Sequence, residues 1–109
     1  MTWPLQRGLV VRADINLDEP KIFVVVSNNR RNRQLPSVLA VRLTTSRKPA
    51  MSSIVELGHP EVFVGRAVCD DIVELYEDEV LSTLGTLSPR AMRMVGAGLA
   101  AALDLPALE

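Results

Sequence analysis

Residues 21–45 read KIFVVVSNNRRNRQLPSVLAVRLTT, with an apolar run near each end and a polar stretch between the two. Residues 21–27 are few and rich in β-branched side chains, which is typical of a strand that is buried on both faces. Residues 37–45 have the same character and predict a second strand. Residues 28–33 are too polar for a core, so we predict a loop or a single helical turn there. This stretch favours a β-fold, and the remaining segments are interpreted around it.

Three further segments have the composition of strands, and they occupy residues 7–15, 53–57 and 63–72. Gly65 interrupts the last of them and indicates a bulge or a bend. Residues 46–50 form a basic loop. Residues 74–84 are acidic and carry apolar residues at a spacing that predicts a short helix, and residues 85–87 follow as a last short strand.

The clearest helix pattern begins after these strands. Ser88 can cap free backbone N–H groups, and Pro89 suits the first helical turn. One apolar stripe follows at spacings of three and four: Met92, Val95, Leu99 and Leu103. Gly96 and Gly98 each cost about 1 kcal/mol relative to Ala in a helix interior, so they indicate either close packing or a weak helix. Pro106 is expected to end the helix.

The order of these elements predicts an α+β fold, all-β with helices. We expect a small antiparallel barrel with a C-terminal amphipathic helix packed on it. A chain of 109 residues fits one domain, so residues 1–109 are interpreted as a single unit.

The charge of the chain is divided unequally along its length. The net charge is −1, but residues 1–50 carry +6 and residues 51–109 carry −7. Such a division favours one basic and one acidic surface, although ordinary solvated charge gives the same count.

Several classes of protein are disfavoured by composition. Cys69 is the sole cysteine, so an intramolecular disulfide is excluded, and a small buried residue is a better interpretation of it than a nucleophile. His59 is the sole histidine and lies in a turn sequence, so a His-rich metal site is excluded. The N-terminus lacks the pattern of a signal peptide, and no apolar run is long enough to span a membrane. We expect a cytoplasmic protein that needs neither a metal nor another cofactor.

Five segments, taken in order, resemble the MazF/PemK toxin family. They are Arg7-Gly8 with a strand ending at Asp14, residues 21–29, residues 38–45, residues 65–71 and residues 84–103. The resemblance covers about residues 7–105, and its specificity lies in the order and spacing of the segments.

The resemblance implies a homodimer of SH3-like barrels that acts as the toxin of a type II toxin–antitoxin system. It also implies sequence-selective cleavage of single-stranded RNA without metal, which leaves a 2′,3′-cyclic phosphate and a 5′-hydroxyl. A cognate antitoxin protein is expected to cover the active site.

This sequence departs from the family pattern in three places. The family's second strand begins with Arg followed by Pro, where this chain has Lys21 and Ile22. The loop between the first two strands is shortened to residues 16–20. Asp70 is present, but the Arg that precedes it by two residues in PemK-type members is replaced by Val68.

Four residues are the candidates for catalysis. Lys21 is expected to stabilise negative charge on phosphate or to donate a proton, or else it is simply solvated. Arg42 and Thr44 lie two residues apart on a strand and therefore share one face. Arg42 then binds an anion or forms an internal ion pair, and Thr44 binds phosphate or is an ordinary strand residue. Asp70 acts as a base or holds Arg42 or Arg66.

A second set is predicted to bind RNA: Arg30, Arg31, Arg33, Arg47, Lys48, Ser27 and Asn28. The arginines are expected to follow the phosphates, unless their loop is merely solvated. Aromatic residues are few, so base stacking is limited to Trp3 and Phe23, of which Phe23 fits a core position better.

Two other functions remain open at this point. A CcdB-like inhibitor of DNA gyrase has the same kind of fold without being an enzyme, but its activity is associated with an aromatic-Gly-Ile terminus and this chain ends LPALE. A catalytically silent binding module is made plausible by the change to Lys21.

Overall fold

The strands and helices follow one another through residues 1–16 and 18–106, which are the residues described by the computed structural model. The strands are β1 (Leu9–Ala13), β2 (Lys21–Val25), β3 (Ser37–Thr44), β4 (Ile54–Leu57), β5 (Gly65–Tyr76) and β6 (Val80–Thr86). The helices are α1 (Asn29–Gln34), α2 (Pro89–Leu103) and a short 3₁₀ turn at Glu77–Glu79.

All six strands belong to one antiparallel sheet in the order β4-β5-β3-β2-β1-β6. The predicted fold class is therefore confirmed. The expected barrel is only approximated, because β4 and β6 form the two edges and the described residues show no pairing between them. β5 contains an irregularity, since Val41 pairs with Ile72 whereas the next residue, Arg42, pairs with Val68.

Side chains alternate between two apolar clusters, one on each face of the sheet. One cluster contains Val24, Val41 and Leu43 and is covered by α2 through Met92 and Val95. The other cluster lies on the opposite face, and its buried members include Leu5, Val11, Phe23, Val38 and Leu75. Phe23 is only 1% exposed, which fits the core position favoured for it.

The connection between β2 and β3 is the short helix α1. Asn28 caps it, because its side-chain oxygen accepts a 2.8 Å hydrogen bond from the backbone N–H of Arg31. The predicted single turn is therefore present, at slightly greater length.

The predicted short helix over residues 74–84 is wrong. β5 continues to Tyr76, the 3₁₀ turn follows, and β6 begins at Val80. Pairing of β5 with β3 and of β6 with β1 overrides the local helical spacing, and Leu75 is buried while Leu81 is 51% exposed. Tertiary pairing of this kind routinely outweighs local propensity.

α2 begins as predicted and ends earlier than predicted. The Ser88 hydroxyl accepts a hydrogen bond from the Ala91 N–H at 3.1 Å, and Pro89 occupies the first turn. The helix ends at Leu103, where Asp104 adopts a left-handed conformation with φ 54° and returns its N–H to the last carbonyls. Pro106 therefore lies beyond the end and does not cause it.

Glu61 fixes the start of α2 from the loop that precedes β5. Its carboxylate accepts hydrogen bonds from the Ser88 N–H at 2.9 Å and from the Ser88 hydroxyl at 2.6 Å. These two bonds lower the pKa of Glu61, the hydroxyl bond most.

The two helix glycines differ in their surroundings. A Cβ at Gly98 would lie 2.7 Å from Cys69 Sγ and 2.8 Å from Val55 Cγ2, so this glycine allows α2 to approach β4 and β5. A Cβ at Gly96 would come no nearer than 3.7 Å to its first neighbour, Arg7 Nη2. Close packing explains Gly98 and does not explain Gly96.

We expect Gly96→Ala to stabilise the protein by about 1 kcal/mol, because alanine is the better helix former and fits without a clash. Gly98→Ala should destabilise it, because overpacking against a buried strand costs about 1–3 kcal/mol and exceeds the gain in propensity. The free energy of unfolding of both variants, measured by urea denaturation, checks the pair. A stabilised Gly98→Ala variant would contradict the close approach.

Glu61→Gln should lower the melting temperature at pH 7, because the amide loses the charge that Ser88 binds. Since folding lowers the pKa of Glu61, its stabilisation is present above the unfolded value near 4.5 and is lost as the pH falls through the folded value. The difference in melting temperature between the two proteins should therefore shrink below about pH 4.5. Glu77→Gln, on the exposed turn before β6, is the control. If the difference in melting temperature between the wild type and Glu61→Gln is constant from pH 7 to pH 3, the charge of Glu61 does not stabilise the start of α2.

Candidate active site

A row of polar residues crosses one face of the sheet near its β4 edge. Thr44 pairs with Arg66, and Arg66 pairs with Glu56, so these three side chains lie side by side on β3, β5 and β4. Ile22 pairs with Leu43, so continuing the same register by one residue places Lys21 of β2 opposite Thr44. Directly opposite residues of antiparallel strands project from the same face.

Arg42 lies two residues before Thr44 on the same face, as the strand spacing predicts. Lys21, Arg42 and Thr44 line one surface cavity of about 320 Å³. Its other lining residues come from the neighbouring loops and strands: Glu19, Pro20, Ile22, Leu43, Thr45, Ser46 and Phe63. Three of the four predicted catalytic residues are therefore brought together.

The guanidinium of Arg42 is incompletely paired. Its Nε is shielded from solvent and has no hydrogen-bond partner within the described residues, and the ion pairs found there do not include Arg42. A desolvated donor without a partner costs free energy, more so when the group is charged. The internal ion pair that the sequence left open is therefore not observed in residues 1–16 and 18–106, and the site can receive an anion.

Lys21 is more than a solvated lysine at the start of a strand. Its side chain is only 23% exposed, and Nζ lies 3.2 Å from Glu19 Oε1. The Glu19 side chain is 73% exposed. Because the Glu19 carboxylate is solvated, its ion pair with Lys21 contributes little, and a phosphate can replace it as the partner of Lys21.

The hydroxyl of Thr44 is held by the turn that follows β3. Thr44 is 8% exposed, and its Oγ1 accepts a 3.1 Å hydrogen bond from the Ser46 N–H. Because the hydroxyl is used as an acceptor there, its own hydrogen stays available to donate.

Asp70 is not part of this cavity. It lies in the irregular stretch of β5 between Val68 and Ile72, and its carboxylate accepts a 2.9 Å hydrogen bond from the Ser53 hydroxyl. The expectation that it holds Arg42 or Arg66 is wrong, since Arg66 pairs with Glu56. Within the described residues, Asp70 takes part in neither of the ion pairs.

The residues predicted to bind RNA fall into separate places. Arg47 and Lys48 are exposed and line a second cavity beside the first, together with Arg66 and Glu56. α1 lies at the far ends of β2 and β3, because Lys21 begins β2 and Thr44 ends β3. The exposed side chains of α1 are therefore separated from the cavity by most of the strand length.

Three of the residues predicted to bind RNA, in or just before α1, form hydrogen bonds within the protein. Arg31 donates to the Ser37 carbonyl at 2.7 Å and to its hydroxyl at 3.3 Å. Ser27 is 7% exposed and its hydroxyl bonds the backbone N–H of Leu39, so it is not available to RNA. Asn28 is the cap of α1. Arg30 and Arg33 remain exposed on this helix.

Cysteine chemistry is not available to this site. Cys69 is buried beneath α2, and burial, followed by the nearby charge of Asp70, raises the pKa of its thiol to about 11. Such a thiol stays protonated and poorly nucleophilic near neutral pH.

The described residues contain no group of three or more His, Cys, Asp and Glu side chains with the arrangement of a metal site. In the same part of the chain, no helix combines the length and the apolar character needed to cross a membrane.

Sequence reasoning did not assign Arg66, Glu56 or Glu19 to the site. The sequence suggests Arg66 only as a partner of Asp70. The pairing of β3 with β5 determines the position of Arg66. Because residues 69–71 are an irregularity in β5, the alternation of apolar and polar residues does not reveal which residues of the two strands pair. Glu19 lies in a loop, where periodicity carries no information.

Comparison with known proteins identifies the family of this fold and site. Residues 6–103 match the family described as PemK-like, MazF-like toxin of type II toxin-antitoxin system. The chain is 40% identical over 106 residues to Endoribonuclease MazF1 of Mycobacterium bovis and to Endoribonuclease MazF4 of Mycobacterium tuberculosis. Each of these alignments covers 97% of this chain and 98% of the relative.

Solved structures agree with this result. An endoribonuclease in complex with its cognate antitoxin, from a mycobacterial species, has a TM-score of 0.88 at 38% identity. That match covers 95% of this chain and 99% of the other. A MazE–MazF structure from Deinococcus radiodurans has a TM-score of 0.79 at 16% identity and supports the fold alone.

The gyrase-inhibitor and silent-module interpretations are not favoured by these relatives, which are named as endoribonucleases. The C-terminal argument against a gyrase inhibitor rests partly on residues 107–109, which lie outside the described residues. The matches extend over nearly the whole chain and include every strand that lines the cavity. The chain therefore belongs to the PemK-like, MazF-like family of toxins of type II toxin–antitoxin systems.

Proposed function

We propose that Lys21, Arg42 and Thr44 form the catalytic centre of this toxin endoribonuclease. The observation that carries the proposal is the incompletely paired guanidinium of Arg42, which shares a cavity with a half-buried lysine and a threonine hydroxyl. This arrangement offers two positive charges and one neutral donor to a single anion. The phosphate of single-stranded RNA fits that description, and the relatives at 40% identity are endoribonucleases.

The cleavage that suits these groups uses the RNA's own 2′-hydroxyl. The 2′-oxygen loses its proton and attacks phosphorus, and the bond from phosphorus to the 5′-oxygen breaks. The 5′-oxygen gains a proton, which leaves a 2′,3′-cyclic phosphate and a 5′-hydroxyl. The step requires stabilisation of the extra negative charge, one proton acceptor and one proton donor.

The side chains divide these tasks. The guanidinium of Arg42 donates to the phosphate oxygens and so gains the charged partner that it lacks in the free protein. The Thr44 hydroxyl donates to a phosphate oxygen, and Lys21 supplies charge and a proton for the leaving oxygen. Glu19, the carboxylate of the cavity lining, replaces Asp70 as the proton acceptor. No step uses a metal ion.

Arg42→Ala and Thr44→Ala should each reduce the cleavage rate by about 10²–10³-fold, the usual loss when a preorganised donor is removed. Lys21→Arg should retain activity and Lys21→Ala should lose most of it. Single-turnover cleavage of an RNA oligonucleotide in excess EDTA, with the ends of the products identified, measures these effects. EDTA should leave the wild-type rate unchanged.

Arg93→Ala is the matched control, because Arg93 is exposed on α2, which covers the opposite face of the sheet from Arg42. An Arg42→Ala protein that cleaves at the wild-type rate would remove Arg42 from the mechanism. A wild-type activity that chelation abolishes and a divalent ion restores would exclude the metal-free step.

The partners follow from the same surface. We propose that the protein is a cytoplasmic homodimer and that its cognate antitoxin covers the cavity with an acidic segment, which folds on binding. The excess of positive charge in residues 1–50 supports this choice of partner, and a related mycobacterial endoribonuclease has been solved with its cognate antitoxin.

RNA should extend from the catalytic cavity onto Arg47 and Lys48. Reversing both charges, in Arg47→Glu/Lys48→Glu, should weaken binding of an uncleavable 2′-deoxy oligonucleotide. It should also flatten the salt dependence by about 0.7 in log–log slope for each phosphate that the variant no longer neutralises. Arg30→Glu/Arg33→Glu makes the same change in charge on α1 and should have the smaller effect. If the salt dependence of binding has the same slope in the two double variants, RNA does not extend over Arg47 and Lys48.

A further inference from the structure

Arg66 connects the catalytic strand to the neighbouring edge strand. Its Nε lies 2.9 Å from Glu56 Oε2 on β4. Its Nη1 donates to two carbonyls in the turn just after β3, that of Ser46 at 3.3 Å and that of Thr45 at 3.4 Å. The side chain thus contacts the turn after β3 and the strand β4 at once.

These contacts lead directly to the threonine of the cavity. Ser46, whose carbonyl Arg66 binds, gives its N–H to Thr44 Oγ1 at 3.1 Å. The Ser46 N–H therefore orients the Thr44 hydroxyl, and Arg66 holds the turn in which Ser46 lies. Arg66 also pairs with Thr44 across the sheet, so the backbone positions of both residues are fixed by the pairing of β3 with β5.

Gly65, the residue before Arg66, allows β5 to lie close to the end of β3. Gly65 has φ +151°, and a Cβ there would lie 2.5 Å from the Thr44 carbonyl oxygen and 2.9 Å from Phe63. Only glycine permits β5 to approach the end of β3 this closely. Arg66 is consequently held close enough to reach around Thr44 to the carbonyls beyond it.

Arg66 is a poor candidate for binding phosphate itself. Its Nε and Nη1 are occupied by a carboxylate and two carbonyls, and the Glu56 charge offsets its own. Arg42, in contrast, has no ion pair within residues 1–16 and 18–106. Of the two arginine side chains on this face, Arg66 is therefore suited to a structural contact and Arg42 to binding an anion.

We propose that Arg66 is a positioning residue for RNA cleavage, which fixes the Thr45–Ser46 turn and through it the direction of the Thr44 hydroxyl. This inference rests on the proposed function of Thr44. A misplacement of about 1 Å at a reacting group can cost about 10²-fold in rate, so the effect on catalysis can be large while the fold stays intact.

The test compares Arg66→Met, Arg66→Lys and the control Arg93→Met in steady-state cleavage of an RNA oligonucleotide. Arg93 is exposed on α2, so its variant removes the same charge far from the site. We expect kcat of Arg66→Met to fall by about 10–100-fold with KM changed less than about twofold. Arg66→Lys should lose most of kcat as well, because one ammonium group cannot reach Glu56 and both carbonyls. Arg93→Met should match the wild type.

A double-variant cycle separates positioning from an independent contribution. If Arg66 acts through Thr44, Thr44→Ala/Arg66→Met should cleave no more slowly than Thr44→Ala alone. Losses that multiply in the double variant would overturn the proposal, as would a raised KM and a flatter salt slope with unchanged kcat. If Arg66→Met fails to fold, Arg66→Lys, with its melting temperature measured, decides by the same criteria.

Different results would contradict the catalytic role of Thr44 and the positioning role of Arg66. A Thr44→Ala protein that cleaves like the wild type would overturn the proposed catalytic centre. A slow Thr44→Ala protein beside an Arg66→Met protein of wild-type kcat would overturn the role of Arg66 alone.

Discussion

The antiparallel register of β2, β3 and β5 is the constraint on which the site depends. Pairing of Ile22 with Leu43 and of Thr44 with Arg66 places the polar residues of three strands in one row. The same alternation sends Val41 and Leu43 to the opposite face, beneath α2. A slip of one residue in β3 would turn Arg42 and Thr44 toward the core beneath α2 and Val41 and Leu43 away from it. The apolar core and the cavity are thus two results of a single register.

The cavity differs from the family pattern in how it provides positive charge. The pattern has Arg followed by Pro at the start of the second strand, where this chain has Lys21 and Ile22. A lysine gives a compact charge without the planar pair of donors that an arginine offers to phosphate. Arg42 supplies such a pair from the adjacent strand. Its Nε is shielded from solvent without a partner among the described residues, which disfavours the free protein and favours any state in which an anion occupies the cavity.

Much of this arrangement could be predicted from the sequence. The apolar runs around Phe23 and Val41 established the central strands, and simple alternation placed Arg42 beside Thr44. The Ser88-Pro89 pair identified the start of α2. The failures have physical causes. Leu81 and Leu84 have helical spacing but lie in a strand because of pairing with β1. Asp70 lies in the unpaired stretch of β5 and accepts a hydrogen bond from Ser53 instead of lining the cavity. Glu19, Glu56 and Arg66 join the site through loop geometry and cross-strand pairing, which local patterns do not encode.

The central claim is that Arg42 is held ready for the phosphate of RNA. It is tested most directly by the ¹⁵N-edited NMR resonances of the Arg42 guanidinium during titration with a 2′-deoxy oligonucleotide, which binds but cannot react. Arg42→Ala identifies the resonances. Pairing with phosphate should move the Nε–H signal downfield and slow its exchange with water, while the signal of exposed Arg93 stays in place. An Arg42 signal that does not change at saturation would contradict the account.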